Sequence, residues 1–463
     1  MRSSRGGLTV ACVDREAEVA TSYHSLLSAD HQLAQRTYES LVEAHERHAL
    51  MFQERLLCTV LRPRLISGSR LAALVRRSEM VAAIFERAGD RILASDRLLD
   101  LIGATEAERS LWSIDPGYPG FTLSSRLDSF MVEDDARFVE YNAESPAGIG
   151  YTDCLSEVFS DLPAMAEWDG RETVQRFHGR RELLETLLWA FRQRGTEGTP
   201  SIAIIDWAHV VTRRDFELCA AYFRDAGVPT VVVDPRSLEY RQGRLWSGDQ
   251  PITIVYRRVL LHELLAKADE CEPLLQAYRD GALCMVNSPR SKILHKKAVM
   301  ALLDDPGFGL ELSEEERSVL TASIPWTRLL QPGGTTYRDR RVELTSFVRE
   351  ERERLVLKPF DDYGGRGVVL GWETDEDEWD RAIEKGLGAD YVVQERVPVP
   401  EAEFPVWEGG RVELVPLLLD TDPLLFRGLV GSVLTRLSGT ALLNVSAGAG
   451  STTTTFLLKE KGA

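Results

Sequence analysis

Arg126-Leu-Asp128 and Glu140-Tyr-Asn142 are the residues of this chain whose types and spacing could do chemistry. They lie in one stretch that reads as two strands about a polar turn at Glu133-Asp134-Asp135. Strand side chains alternate faces, so Arg126 shares a face with Asp128, and Glu140 with Asn142. If the hairpin folds symmetrically, Asp128 lies opposite Glu140 or Asn142. Two carboxylates and an amide oxygen would then converge, a hard-oxygen set suited to Mg²⁺. The arginine beside them would offer positive charge to a phosphate or an oxyanion. A surface hairpin with ordinary cross-strand charge pairs accounts for the same residues.

A second segment is Lys358-Pro-Phe-Asp-Asp-Tyr-Gly364-Gly365-Arg-Gly367. A lysine ending a strand precedes a glycine-rich turn, and a strand resumes after it. Glycines let a loop fold tightly over an anion with its N–H groups inward, and the lysine adds charge to the same ligand. An ordinary hairpin turn fits equally. The lysine comes before the glycines, so this is not the Gly-x-x-x-x-Gly-Lys phosphate loop. Tyr391-Val-Val-Gln394-Glu395 is an apolar strand ending in two polar groups that could line a base or ribose, or it is plain core.

The elements that must position these residues alternate in type. Residues 14–110 are helix-like and strand-poor. His45 and His48 fall there on what reads as a solvated helix face, without a third metal ligand. The hairpin follows, then helices near 152–159 and 171–194. Strands at 201–206, 229–234 and 252–256, with a helix over 212–226, imply a parallel sheet with a crossover helix. The turn Asp206-Trp-Ala-His-Val lacks the glycines of a dinucleotide site, which favours a structural layer. Beyond Asn287 a Lys-rich helix is expected over Ser291–Leu303. A capping box at Ser313–Glu316, a strand at 355–358, a helix near 375–386 and strands through 412–457 complete the pattern.

With 463 residues, 44% hydrophobic and 27% charged, the chain can bury a large core without staples. A formal charge of −17 argues against broad nucleic-acid or anionic-membrane binding. The six cysteines are scattered, with no Cys-x-x-Cys pair, so neither a disulfide framework nor a zinc cluster is expected. No secretory leader is seen, and the most apolar stretch, Val412 to Leu434, is broken by Asp420, Asp422, Arg427 and two prolines, which makes the cytoplasm the default location. The oligomeric state is left open, a homodimer included.

Taken in order, these segments resemble the ATP-grasp family in its circularly permuted form, the glutathionylspermidine synthetase-like C–N ligases. The resemblance rests on Arg126-x-Asp128, Glu140-Tyr-Asn142-Ala-Glu-Ser-Pro, Ser-Lys-Ile-Leu-His-Lys-Lys297, Lys358-Pro with Gly364-Gly365-Arg-Gly367, and Gln394-Glu395. Ile254-Val-Tyr-Arg257-Arg258, Leu434-Thr-Arg436-Leu-Ser and Asn444-Val-Ser-Ala-Gly448 also look like this group. The likeness spans about 110–463. In ordinary members Glu-x-Asn follows the lysine and glycine loop; here it precedes them.

The resemblance implies a mixed α/β (α+β) chain. It would divide into a helical region at 1–110, a metal-binding hairpin with helices at 111–200, a Rossmann-like unit at 201–286 and a nucleotide-binding region at 287–463. It implies Mg²⁺ on Asp128, Glu140 and Asn142, and Arg126 steadying a transferring phosphoryl group or oxyanion. Lys297 and Lys358 would meet ATP phosphates under a loop of Gly364, Gly365 and Gly367. Gln394 and Glu395 would face adenine, and Arg436 is a further candidate for phosphate or acyl phosphate. Lys292 or Lys296 could stand in for Lys297, since the spacing does not decide. The implied activity joins a carboxylate and an amine, both unidentified, with ATP. A non-catalytic ATP-binding scaffold and a small-molecule kinase are the alternatives.

Overall fold

The hairpin forms because Leu127, Met131, Ala136, Phe138 and Tyr141 supply one continuous apolar face. Its strands are Ser124–Val132 and Asp135–Asn142, and the turn is only Glu133-Asp134, shorter than the expected three residues. Glu133 takes φ +52°, which closes the tight connection. The apolar face lies on the helix Gly68–Leu93, where Phe85 meets the Tyr141 ring edge-on at 4.7 Å. The polar face is left to carry Arg126, Asp128, Glu140 and Asn142.

The computed structural model describes residues 6–52, 55–195, 198–303, 305–362, 364–440 and 450–459. The Asn444-Val-Ser-Ala-Gly448 segment lies outside them.

The hairpin belongs to a sheet built mainly from strands far along the chain. Among the described residues that sheet has nine strands. Asp422–Phe426 pairs antiparallel with the first hairpin strand, Leu424 opposite Arg126. Leu429–Ser438 and Arg411–Leu419 follow outward, with Glu401–Glu408 at the edge. Gly450–Leu458 pairs with Leu429–Ser438, and also with Arg64–Ser67 and Val174–Arg176. A strand from the helix-rich first part therefore enters the main sheet.

The expected parallel unit is present. Cys284–Val286, Ile254–Arg257, Ile202–Ile205 and Thr230–Val233 form a four-stranded parallel sheet in that spatial order. Arg213–Asp225 is a crossover helix. The helix forecast at 171–194 is shorter: Val174–Arg176 is a strand and Gly179–Gln193 the helix.

A third sheet, entirely antiparallel, orders Thr327–Leu329, Tyr391–Glu395, Leu355–Pro359 and Val369–Leu370. Leu355, Leu357 and Val393 point into a cluster with Trp379 and Ile383 of the helix Glu376–Leu387. Alternation then puts Lys358 and Gln394 on the opposite face, toward the hairpin.

Two expectations are corrected. Ser291–Leu303 is not one helix but two, Ser291–His295 and Ala298–Leu303. Lys296 turns extended, and the Lys297 N–H leaves the helical ladder for the Phe360 carbonyl at 2.9 Å. A long-range backbone partner thus overrides local helix propensity. His45 is buried, not solvated: it hydrogen-bonds the Leu41 carbonyl at 2.7 Å through Nδ1 and accepts the Cys58 N–H at 3.1 Å.

Glu86, on the Gly68–Leu93 helix, ties the chain just before the hairpin by accepting the Phe121 and Thr122 N–H groups at 2.6 and 3.1 Å. Burial pushes its carboxyl from 4.5 up to about 7, against the pull of those two N–H groups. A raised folded-state value makes the fold bind the extra proton, so its contribution is full below the unfolded value and lost as pH rises through 7. Thermal melting of the wild type should therefore fall between pH 4.5 and pH 8 relative to Glu86→Gln; parallel curves would assign the pH dependence elsewhere.

Candidate active site

The hairpin register places Asp128 opposite Glu140 and Arg126 opposite Asn142. Arg126 holds both Asp128 oxygens, Nε to Oδ1 at 2.7 Å and Nη2 to Oδ2 at 3.1 Å. Asn142 Nδ2 adds a bond to Oδ1 at 2.8 Å. From the neighbouring strands Arg436 Nη2 reaches Asp128 Oδ2 at 2.7 Å and lies 3.0 Å from Asp422 Oδ2, while its Nε meets Asp420 Oδ2 at 2.6 Å. Two guanidiniums and three carboxylates are thus interlocked in the interior. Burial works against the Asp128 anion, yet Arg126 and Arg436 hold its pKa well below the ordinary range. Asp422 is pushed the other way by burial and by the nearby Asp420.

Between Asp128 and Ser129 the ladder carries a bulge that leaves Val139 without an opposing residue. Its carbonyl accepts Lys358 Nζ at 3.0 Å, across 219 positions of sequence. Lys358 also donates to Gln394 Oε1 at 2.7 Å. Burial draws Lys358 down to about 8, with Glu140 and Asp128 opposing and Lys297 assisting. Glu140 stays below its ordinary value because Lys297 and Lys358 outweigh burial and the nearby Asp128.

The break after His295 sends the three candidate lysines to different places. Lys297 Nζ lies 3.2 Å from Glu140 Oε1 and donates to the Asp362 carbonyl at 2.7 Å. Lys296 turns away to Glu108 at 3.1 Å and the Gly103 carbonyl at 2.9 Å. Lys292 is bound between Glu144 at 3.2 Å, His262 at 3.1 Å and Asp361. Of the three, Lys297 is the one beside Glu140 and Lys358.

Gly364, Gly365 and Gly367 form an exposed turn between Leu355–Pro359 and Val369–Leu370, with φ of +65°, +74° and +67°. At Gly367 a Cβ would also sit 3.0 Å from Tyr391 Oη. Gln394 and Glu395 are consecutive in a strand and do not share a face. Gln394 is buried on Lys358 and Thr327, with Nε2 donating to Thr327 Oγ1 at 3.1 Å. Glu395 accepts from Tyr337 Oη at 2.8 Å and Arg338 at 2.7 Å.

Several members of the site escaped the sequence reading. Asp420 and Asp422 looked like interruptions of an apolar run. Their two-residue spacing, matching that of Arg126 and Asp128, was the available signal for a shared face. Glu144 and Arg257, which lie in segments quoted for the resemblance but were given no role, form a fully buried pair at 2.6 Å.

Among the described residues no three His, Cys, Asp or Glu side chains converge as a metal-ligand group. Asp128, Glu140 and the Asn142 amide are nonetheless hard oxygen donors of the kind Mg²⁺ takes. They fit it in donor type, while Arg126 and Arg436 hold both Asp128 oxygens, Lys297 lies against Glu140 and the Asn142 amide nitrogen donates to Asp128.

No family model and no curated protein matches this chain. Solved structures do. A glutathione synthetase-like effector from Globodera pallida is 13% identical with a TM-score of 0.58, over 92% of this chain and 98% of that one. A candidate γ-glutamylcysteine synthetase from Methylobacillus flagellatus is 11% identical, over 85% and 89%, at a TM-score of 0.43, too low to align a site. The likeness is therefore one of fold: the chain shares the mixed α/β fold of the glutathione synthetase-like effector.

Arg436 is the counter-ion shared by three buried carboxylates. Arg436→Met should cost about 3–5 kcal/mol in denaturant unfolding, because it strands buried charge. Adding Asp420→Asn should recover part of that loss. Full stability in Arg436→Met would show that the network is not a structural necessity.

Proposed function

We propose that the protein is an ATP-dependent, Mg²⁺-dependent carboxylate–amine ligase of circularly permuted ATP-grasp type, acting in the cytoplasm. The observation that carries this reading is the meeting of the two segments singled out in the sequence: Lys358 on the Val139 carbonyl, beside Glu140 and Lys297. An early hairpin and a distant lysine segment thereby meet, which a shared triphosphate site would require. The fold shared with a glutathione synthetase-like protein supports the same reading. The division into regions at 1–110, 111–200, 201–286 and 287–463 belongs to it too.

The chemistry is limited by charge, since a carboxylate must approach a polyanion. Lys358 and Lys297 would bind the phosphates, and the Gly364–Gly367 turn would cover them with N–H groups. Gln394 would hold Lys358 in place while the end of the Tyr391–Glu395 strand, with Glu395, meets adenine and ribose. Mg²⁺ held by Asp128, Glu140 and Asn142 would neutralise phosphate charge. Arg126 and Arg436 would steady the phosphoryl group and then the acyl phosphate. The substrate carboxylate attacks the γ-phosphorus, giving acyl phosphate and ADP. The amine then attacks the acyl carbon, the C–O bond to phosphate breaks, and an amide forms as phosphate and a proton leave. Positioning and electrostatics suffice, so no nucleophilic side chain is needed.

Asp128→Asn and Glu140→Gln should abolish ATP turnover while leaving the melting transition cooperative; wild-type turnover in either would remove it from the metal set. Lys358→Ala should weaken nucleotide binding by roughly ten- to a hundredfold in calorimetry, the loss of a charged hydrogen bond. A screen of carboxylates and amines for phosphate release, with hydroxylamine as trap, tests the reaction itself. A hydroxamate identifies an acyl phosphate. A phosphorylated product without hydroxamate makes the protein a kinase, and nucleotide binding without turnover makes it a scaffold.

A further inference from the structure

A cavity of about 570 Å³ lies where three parts of the fold meet. Ile102, Gly103 and the helix Glu106–Trp112 line it from the helix-rich first part. The helix Leu261–Ala266 lines it from the parallel unit, and residues 359–361 and 389–391 from the antiparallel sheet. Size and setting suit a small-molecule site, since such pockets run roughly 300–1,000 Å³ and favour junctions between units. Asp128, Glu140, Asn142, Lys297 and Lys358 are not in its walls, so this space is separate from the charge cluster described above.

The charges in the walls decide the sign of an occupant. Lys296 is committed to Glu108 Oε2 at 3.1 Å and the Gly103 carbonyl at 2.9 Å. Lys292, the partner of Asp361, is committed also to Glu144 and His262. An ammonium has no acceptor, so His262 Nδ1 accepts from Lys292 and the ring brings no charge to the cavity. An anion entering here would meet cations already engaged. Carboxylate oxygens, in contrast, are left over. Glu108 is 2% exposed, and its three donors, the Thr105 N–H, Thr105 Oγ1 and Lys296, all go to Oε2. Its Oε1 has no donor among the described residues. A carboxylate oxygen on so buried a side chain calls for a partner. The exposed Asp390 comes from the opposing wall, its Oδ2 standing where a Cβ on Gly103 would approach to 2.6 Å, and no cation of the described residues pairs with it.

Two aromatic side chains, Phe360 and Tyr391, share the same walls with Ile102 and Leu265. Aromatic faces attract cations, and the aliphatic side chains suit an apolar body. We propose that this cavity is a binding site for a small organic cation: a protonated amine whose charge is met by Glu108 and Asp390 and whose apolar body lies on Phe360, Tyr391 and Leu265. The walls also belong to the lysine and glycine segment. The Phe360 carbonyl accepts the Lys297 N–H at 2.9 Å, and Tyr391 Oη donates to the Gly367 carbonyl at 3.3 Å. An occupant therefore braces the strand ends that position both. The site needs neither nucleotide nor metal, so it stands or falls apart from the ligase reading.

The test uses the full chain and three probes of similar size: 2-phenylethylammonium, the neutral 2-phenylethanol and the anionic phenylacetate. The ammonium should bind in calorimetry and raise the melting temperature at up to about 10 mM, the range open to so few atoms. The other two should bind at least roughly tenfold more weakly. Asp390→Asn, at an exposed position, should weaken the ammonium roughly three- to tenfold. Ala107→Lys, which sets a positive charge on an exposed wall position, should weaken it likewise, and Ala107→Glu should tighten it. Cooperative melting of each variant without ligand shows that it is folded. No binding of the ammonium, equal binding of phenylacetate, or wild-type affinity in either Asp390→Asn or Ala107→Lys would overturn the proposal.

Discussion

The structure depends on concentrating positive charge in one interior region and holding it there with carboxylates. Arg126, Arg436, Lys297 and Lys358 would repel one another if gathered alone, and burial would make that repulsion stronger. Asp128, Glu140 and Asp420 are the carboxylates that allow the four cations to coexist. A buried pair of this kind is weak evidence for stability, since desolvation offsets much of the attraction. Its value lies in preorganisation. Each cation already occupies a fixed position.

The support for that arrangement is shared in a way that couples its two halves. The helix Gly68–Leu93 carries the hairpin through Phe85 and Tyr141. The same helix approaches the lysine-bearing segment at Gly89, where a Cβ would come within 2.9 Å of Leu294. A single rigid element thus sets the distance between the carboxylates and Lys297. Glu86, one turn from Gly89, anchors the strand that enters the hairpin. The helix-rich first part of the chain is therefore a brace for the site and shares the main sheet through Arg64–Ser67.

Local patterns reveal local geometry and little else. The hairpin was legible because period-two alternation and a polar turn fix which residues share a face. Lys358 and its glycines were legible because a strand–turn–strand pattern needs no distant information. Which lysine stands beside Glu140 was not, because a helical reading of Ser291–Leu303 gives Lys292, Lys296 and Lys297 comparable standing. The break that separates them is set by the Phe360 carbonyl, more than sixty positions away. His45 was misread for a related reason: its burial depends on the Cys58 backbone, which helix periodicity cannot register. Asp420 and Asp422 were hidden by their surroundings, since carboxylates inside an apolar run read as interruptions until a counter-ion is placed among them.

The order of the segments has a consequence for how the site forms. Asp128 lies in a hairpin that can pair locally, but its ion partner Arg436 lies 308 positions later. The strand Asp422–Phe426, which sits beside the hairpin, brings Asp422 as well. Before those strands dock, Asp128 has Arg126 and Asn142 as near neighbours and lacks the counter-charge that balances Asp420 and Asp422. Loop-closure entropy over such spans must be overcome before the contacts return any energy, which makes these pairings late events in folding. Two sides supply the cluster: the far strands bring Arg436, and the antiparallel sheet brings Lys358 onto the bulged Val139 carbonyl. A site assembled from such distant pieces follows the cooperativity of the whole fold, so charge balance at Asp128 and integrity of the main sheet are one condition rather than two.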